Sequence, residues 1–174
     1  LTGLAISLAI AIIYFTLQNP YDMLDSFTKT FNVEAMQLFI ESKISSNSDY
    51  QFIVVNIDGM RRINNLFGVL VGNELMLEVS NYLNNLNCES WVFKLQGTRF
   101  VIVTFNDNDH KKLIEELDDR FERSWIINDM KLKINVNIRY FNKSKLITSS
   151  EDVINMIDMA FNRHRLIQDN QKVK

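Results

Sequence analysis

The sequence has little of several residues that would otherwise narrow its chemistry. A single cysteine, Cys88, excludes an internal disulfide framework, and a lone thiol is more often buried or idle than catalytic. Two histidines, His110 and His164, are too few and too isolated for a histidine metal site. With one proline and five glycines, the chain shows neither a low-complexity tract nor an internal repeat. There is also no excess of positive charge. The net charge is −2 and the isoelectric point near 5.7, so no nucleic-acid backbone is indicated as a partner.

What is present is apolar. The 174 residues are 47% hydrophobic and 23% charged, which suits one globular domain with a core and a short appendage. Leu1 to Leu17 carry no charge and are almost wholly apolar. A spanning helix needs about 20 such residues. Residues 1–18 therefore read as the end of a transmembrane helix of a longer membrane protein, with Tyr14 and Phe15 near the interface. A cleaved signal peptide fits less well, because no basic start or small-residue cleavage site is visible. A buried helix of a soluble domain is the other reading. Asn19-Pro20 ends the run, and residues 19–33 are expected to form a linker helix. Its Met23, Leu24 and Phe27 could face a partner helix, although three positions do not establish a coiled coil.

Periodicity then predicts a helix near 33–43 and, after the polar break SSNSD, a nearly continuous apolar strand over 51–57. Two helices follow at 60–67 and 69–86, the second with Leu75, Val79, Leu83 and Leu86 on one stripe. Strands at 91–95 and 100–105 flank a tight turn. A helix over 109–123, one strand over 131–140 and a helix from 151 to about 167 complete the chain. In that last strand Leu132, Ile134, Val136 and Ile138 share a face. The order βααββαβα predicts a mostly antiparallel sheet with helices on its faces, an α+β architecture.

The turn reads Gln96-Gly97-Thr98-Arg99-Phe100 within WVFKLQGTRFVIVTF. This resembles the GGDEF signature of diguanylate cyclases, of which the second Gly (Gly97) and the Phe (Phe100) remain. Three further segments resemble the same family. Asp25-Ser-Phe-Thr28-Lys-Thr-Phe-Asn32 keeps the Asp, Thr and Asn of the family's opening motif. Asn56-Ile57-Asp58-Gly-Met-Arg61-Arg-Ile63-Asn64-Asn65-Leu-Phe-Gly68-Val69-Leu-Val-Gly72-Asn73 follows its central motif. Ile157-Asp158-Met-Ala160-Phe161-Asn-Arg-His-Arg165 is similar to its closing motif. The resemblance spans about residues 25–169. It implies a ferredoxin-like palm of the nucleotide-cyclase type, with a degenerate domain over 34–169 and a tail or linker at 170–174.

In the family each domain binds one GTP, and two domains meet face to face. Magnesium bridges the triphosphate and activates a ribose hydroxyl, which requires anionic oxygen ligands held close together. The positions that match those acids are Asn56, Thr98 and Arg99. Three negative charges have become two neutral groups and one cation. By a rough Coulomb estimate, an Arg there repels Mg²⁺ by several kcal/mol at protein-like dielectric. No metal or other cofactor is therefore expected, and catalysis is not. Asp58 remains, either as a surviving acid or as a cap on the helix that begins at Met60.

Nucleotide binding is a separate matter. The resemblance implies that Asn64 contacts guanine and that Asn73 stands where the family uses an Asp. An amide offers one acceptor oxygen where a carboxylate accepts two bonds. The loss of about 1–3 kcal/mol of charge-assisted bonding weakens guanine recognition. Arg61 and Arg165 replace phosphate-contacting lysines, so with Arg99 a metal-free site for GTP or another anion is one reading. Ordinary solvated surface charges on an empty pocket are the other. The chain carries 20 Asn, so the changes at 56 and 73 also fit compositional drift. The family's product-inhibition motif, Arg-x-x-Asp, falls on Asn87 and Ser90, which keep neither charge.

These readings lead to a catalytically inactive regulatory or dimerisation module of a cyclic di-GMP signalling protein. It would pair as a homodimer, sit at a bacterial cytoplasmic membrane facing the cytoplasm, and sense GTP or precede an EAL phosphodiesterase domain. A weak or divergent nucleotide cyclase using Asp58 is the enzymatic alternative. A purely structural dimerisation domain is the third.

Overall fold

The computed structural model describes residues 23–47, 49–142 and 147–171, with residues 107–108 and 162–171 as backbone only. The apolar run at residues 1–18 lies outside the described residues. Among those described, no helix is long and apolar enough to cross a membrane.

Among the described residues, five helices and six strands follow one another: α1 (Val33–Ser45), β1 (Gln51–Asp58), α2 (Met60–Phe67), α3 (Val69–Asn84), β2 (Ser90–Lys94), β3 (Arg99–Thr104), α4 (Asp107–Glu122), β4 (Trp125–Ile127), β5 (Met130–Leu132), β6 (Asn135–Asn142) and α5 (Ser150–Gln171). The main sheet has the order β2-β3-β1-β6, and every neighbouring pair is antiparallel. β1 lies in the interior of the sheet, which is why its sequence is nearly unbroken in apolar residues.

Successive residues of a strand point to opposite faces, so the sheet separates two cores. Ile53, Val55 and Ile57 join Phe100 and Ile102 beneath α3 and α4, where Leu75, Val79, Leu83, Leu113 and Leu117 pack. Phe52 and Val54 join Phe93, Val101 and Val103 beneath α1 and α5, against Met36, Ile40, Val153, Ile157 and Phe161. The expected α+β layering is therefore present.

Two local expectations are corrected. Residues 24–31 do not form a helix. Asp25 Oδ1 accepts bonds from the Thr28 amide (2.7 Å) and hydroxyl (2.8 Å), which closes a turn. Leu24 bridges Phe31, and Phe31 runs parallel to Phe93 on the edge strand β2. The turn chemistry of Asp and Thr outcompetes a weak helical pattern here. Thr30 is buried and hydrogen-bonded to Ser80 of α3 at 2.6 Å, which anchors the loop to the domain. Asn32 is the N-cap of α1, accepting from the Ala35 amide at 2.9 Å.

The single strand expected over 131–140 is also divided. β5 ends at Leu132, and β6 begins at Asn135. β5 pairs with β4 in a separate two-stranded hairpin. Its turn residues, Asn128 and Asp129, have φ of 48° and 63°, as a type I′ turn requires. The face assignment survives the break, because Leu132, Ile134, Val136 and Ile138 all meet the core under α3 and α4.

Candidate functional site

The hairpin between β2 and β3 is built around Gly97, whose φ of +71° suits a residue without a Cβ. The Leu95 amide donates to the Arg99 carbonyl at 2.9 Å, closing the turn. The Ile57 amide donates to the Thr98 carbonyl at 3.1 Å, so the turn is stitched to the end of β1. Asn56 on β1 lies opposite Arg99 on β3 and opposite Asn137 on β6. Three of the residues in question, Asn56, Thr98 and Arg99, thus meet at one end of the sheet.

Their partners decide the chemistry. The Arg99 guanidinium pairs with Asp158 on α5 at 2.5 Å and lies over the Phe161 ring, 5.2 Å from its centroid. The Asn56 amide nitrogen donates to Asp58 Oδ1 at 2.6 Å. Asp58 is not the helix cap: the N-cap of α2 is Gly59, at φ +78°, with no side-chain capping bond. The described residues contain no group of three or more His, Cys, Asp or Glu able to hold a metal ion. An amide, a hydroxyl and an ion-paired guanidinium do not fit Mg²⁺, which takes anionic oxygens in near-octahedral order.

Lys94, at the end of β2, underlies the turn. Its ammonium donates to the Leu95 carbonyl at 2.7 Å and to the Gly97 carbonyl, and sits 5.2 Å from the Phe100 ring centroid. Burial holds its pKa below the usual lysine value, and the nearby Asp25 carboxylate only partly opposes this. Burial would raise Asp25, but bonds from the Thr28 amide and hydroxyl, helped by Lys94, hold it below the usual carboxylate value.

The residues expected to meet a nucleotide are divided among α2, α3 and α5. Arg61 and Asn73 are exposed, on α2 and α3 respectively. Asn64 is half-buried between those helices, and its Oδ1 is buried without a hydrogen-bond partner. Gly72 explains the close fit, since a Cβ there would stand 1.8 Å from that oxygen. The side chain of Arg165 lies outside the described residues. Sequence reasoning missed Asp158, Phe161 and Lys94 as members of this site. Asp158 stood inside a quoted motif, but nothing in a sequence says which cation an exposed acid meets.

Residues 22–171 match the family model described as diguanylate cyclase, GGDEF domain. The chain belongs to the GGDEF family. A diguanylate cyclase/phosphodiesterase from Caldicellulosiruptor saccharolyticus superposes with a TM-score of 0.71 at 19% identity, over 87% of this chain and 88% of that one. A sensory box/GGDEF family protein from Caulobacter crescentus gives 0.67 at 20% identity, over 81% and 96%. The coiled coil and GGDEF domain of DgcB from the same organism, solved with c-di-GMP, gives 0.70 at 15%, over 94% and 93%. No curated protein matches the chain. At these identities the likeness establishes the GGDEF fold, and the chemistry rests on the residues described above.

Proposed function

We propose that this GGDEF domain is a catalytically inactive regulatory module of a cyclic di-GMP signalling protein, held at a bacterial cytoplasmic membrane and acting as a homodimer. The observation that carries the reading is Arg99. By the resemblance of the signature turn it stands where the family keeps a metal-binding acid, and it is engaged by Asp158 and Phe161. Placing Mg²⁺ there would require breaking that pair and then overcoming the cation's repulsion. In this reading any phosphodiesterase activity belongs to an EAL domain elsewhere in the parent protein.

Sensing of GTP without turnover is compatible with the same geometry. Asn64 keeps a buried acceptor oxygen without a partner, and a bound base would satisfy it. Metal is not needed for that contact. Arg61 would supply positive charge near the phosphates, and Arg165 is proposed to do the same.

The test is product formation from GTP, with Mg²⁺ or Mn²⁺, alongside isothermal titration of GTP in the presence and absence of metal. No cyclic di-GMP together with metal-independent heat supports a sensing module. No product and no heat at millimolar GTP leaves a module that works through its surfaces. Metal-dependent turnover overturns the inactive reading in favour of a divergent cyclase using Asp58.

A further inference from the structure

A second concave site lies away from the signature hairpin. One wall is α2, and the other is the stretch from Lys131 to Asn135 where β5 gives way to β6. The cleft has a volume of about 380 Å³, within the range of small-molecule sites. Arg62 and Leu66 line it, roughly 200° around the helix from Asn64, so this is not the face proposed above for a base. Asp58 is the one residue that the two places share.

The cleft has two kinds of lining. In Lys131-Leu132-Lys133-Ile134 the even positions are buried and the odd ones exposed, so an apolar floor carries a cationic rim. α2 adds Ile63 to the floor, and adds Leu66 and Phe67, which remain 63% and 44% exposed. Arg62 joins Lys131 and Lys133 on the rim. Among the described residues the ion pairs are Arg99–Asp158 and Arg123–Asp119, so none of these three cations is held in an ion pair. The one acid in the lining, Asp58, already accepts a bond from Asn56. A local excess of positive charge in a chain of net charge −2 is a focused field, and it favours an anion.

We propose that this cleft binds a small anion with an apolar body, an alkyl or aryl phosphate or carboxylate. The charged group sits on Arg62, Lys131 and Lys133, and the body covers Leu66 and Phe67. Both halves are required. Phosphate alone leaves the exposed apolar surface wet, and a neutral apolar molecule leaves the cations of the rim without a counter-charge.

Isothermal titration of the full chain with hexyl phosphate, inorganic phosphate and 1-hexanol tests this. Hexyl phosphate is expected to bind at least about ten times more tightly than either of the others. Lys131→Glu/Lys133→Glu should weaken it by about ten-fold or more. Leu66→Ser should weaken hexyl phosphate and leave inorganic phosphate unchanged. Arg62→Gln, a conservative change at an exposed helix position, guards against misfolding of the double variant and should weaken binding on its own.

Equal affinity for hexyl phosphate and hexanol overturns the proposal, as does undiminished binding in folded variants. Binding to anionic phosphatidylglycerol vesicles, with none to hexyl phosphate, also overturns it and assigns the surface to a membrane. These results are independent of GTP turnover, so this proposal and the functional reading fail separately.

Discussion

Arg99 shows how one side chain redirects a site. Its guanidinium is mostly covered and its partner Asp158 half-exposed, so the pair is worth about 1 kcal/mol or less, and the stack on Phe161 adds a similar amount. Arg99→Glu should lower stability by about 1–2 kcal/mol, read as a fall in the urea midpoint, because it also sets two carboxylates face to face. Arg99→Glu/Asp158→Lys should recover most of that loss. If the single variant is as stable as the parent, the pair is not a strut. Gly72 gives a second prediction at this scale. Gly72→Ala drives a methyl into Asn64 Oδ1 and should cost about 1–3 kcal/mol. The cost should shrink in an Asn64→Ala background, and a double-mutant cycle with no coupling would refute the contact.

At the scale of elements, the loop over 23–31 and the β4–β5 hairpin carry predictions of opposite sign. Asp25 is held below its usual pKa, so the folded loop prefers the carboxylate. Its contribution is complete above the unfolded-state value near 3.8 and is lost as pH falls through the lower folded value. Acid unfolding below about pH 4 should therefore flatten in Asp25→Asn, with a lower stability at neutral pH. An unchanged pH profile would remove Asp25 from the account. In the hairpin, Asp129 has positive φ without being glycine. Asp129→Gly yields the Asn-Gly pair favoured by type I′ turns and should raise stability by a few tenths to about 1 kcal/mol, read as a rise in the urea midpoint. Asn128 is the wrong choice for the same change, because its amide donates to Glu74 of α3.

For the whole molecule, the question is whether acids at this end of the sheet would let the scaffold hold a metal. Asn56→Asp/Thr98→Asp/Arg99→Glu places acids at all three positions, but Asp158 would repel the new Glu, so Asp158→Asn belongs in the same variant. A site with a dissociation constant of about 1 mM would be stabilised by about 1.4 kcal/mol in 10 mM Mg²⁺. Thermal unfolding with and without Mg²⁺ reads this directly: a shift in the variant and none in the parent is expected. No shift in either would mean that the pocket differs from an active one by more than these side chains. Because β1 and β3 hold Asn56 and Arg99 in backbone register, the scaffold is set independently of what those side chains are.

The layering was legible from the chain alone, and the reason is periodic burial. Gln51–Asp58 carries an apolar run over Phe52–Val55 and at Ile57 because the strand is interior, and Leu75, Val79 and Leu83 repeat at helical spacing because one face of α3 is covered. The four quoted motifs were legible too, since each is a local string. The turn at Asp25 and the break at Lys133-Ile134 were not, because short-range hydrogen bonding and a neighbouring hairpin override weak patterns there. The sequence by itself therefore determined the two-faced sheet and the absence of acids at positions 56, 98 and 99. Only the tertiary structure decided that Arg99 belongs to Asp158, that Asn64 sits against Gly72, and that Arg62 meets Lys131 and Lys133 around one cleft. Those pairings join residues distant along the chain, and the energy of such a contact depends on distance and burial, which no string of residues contains.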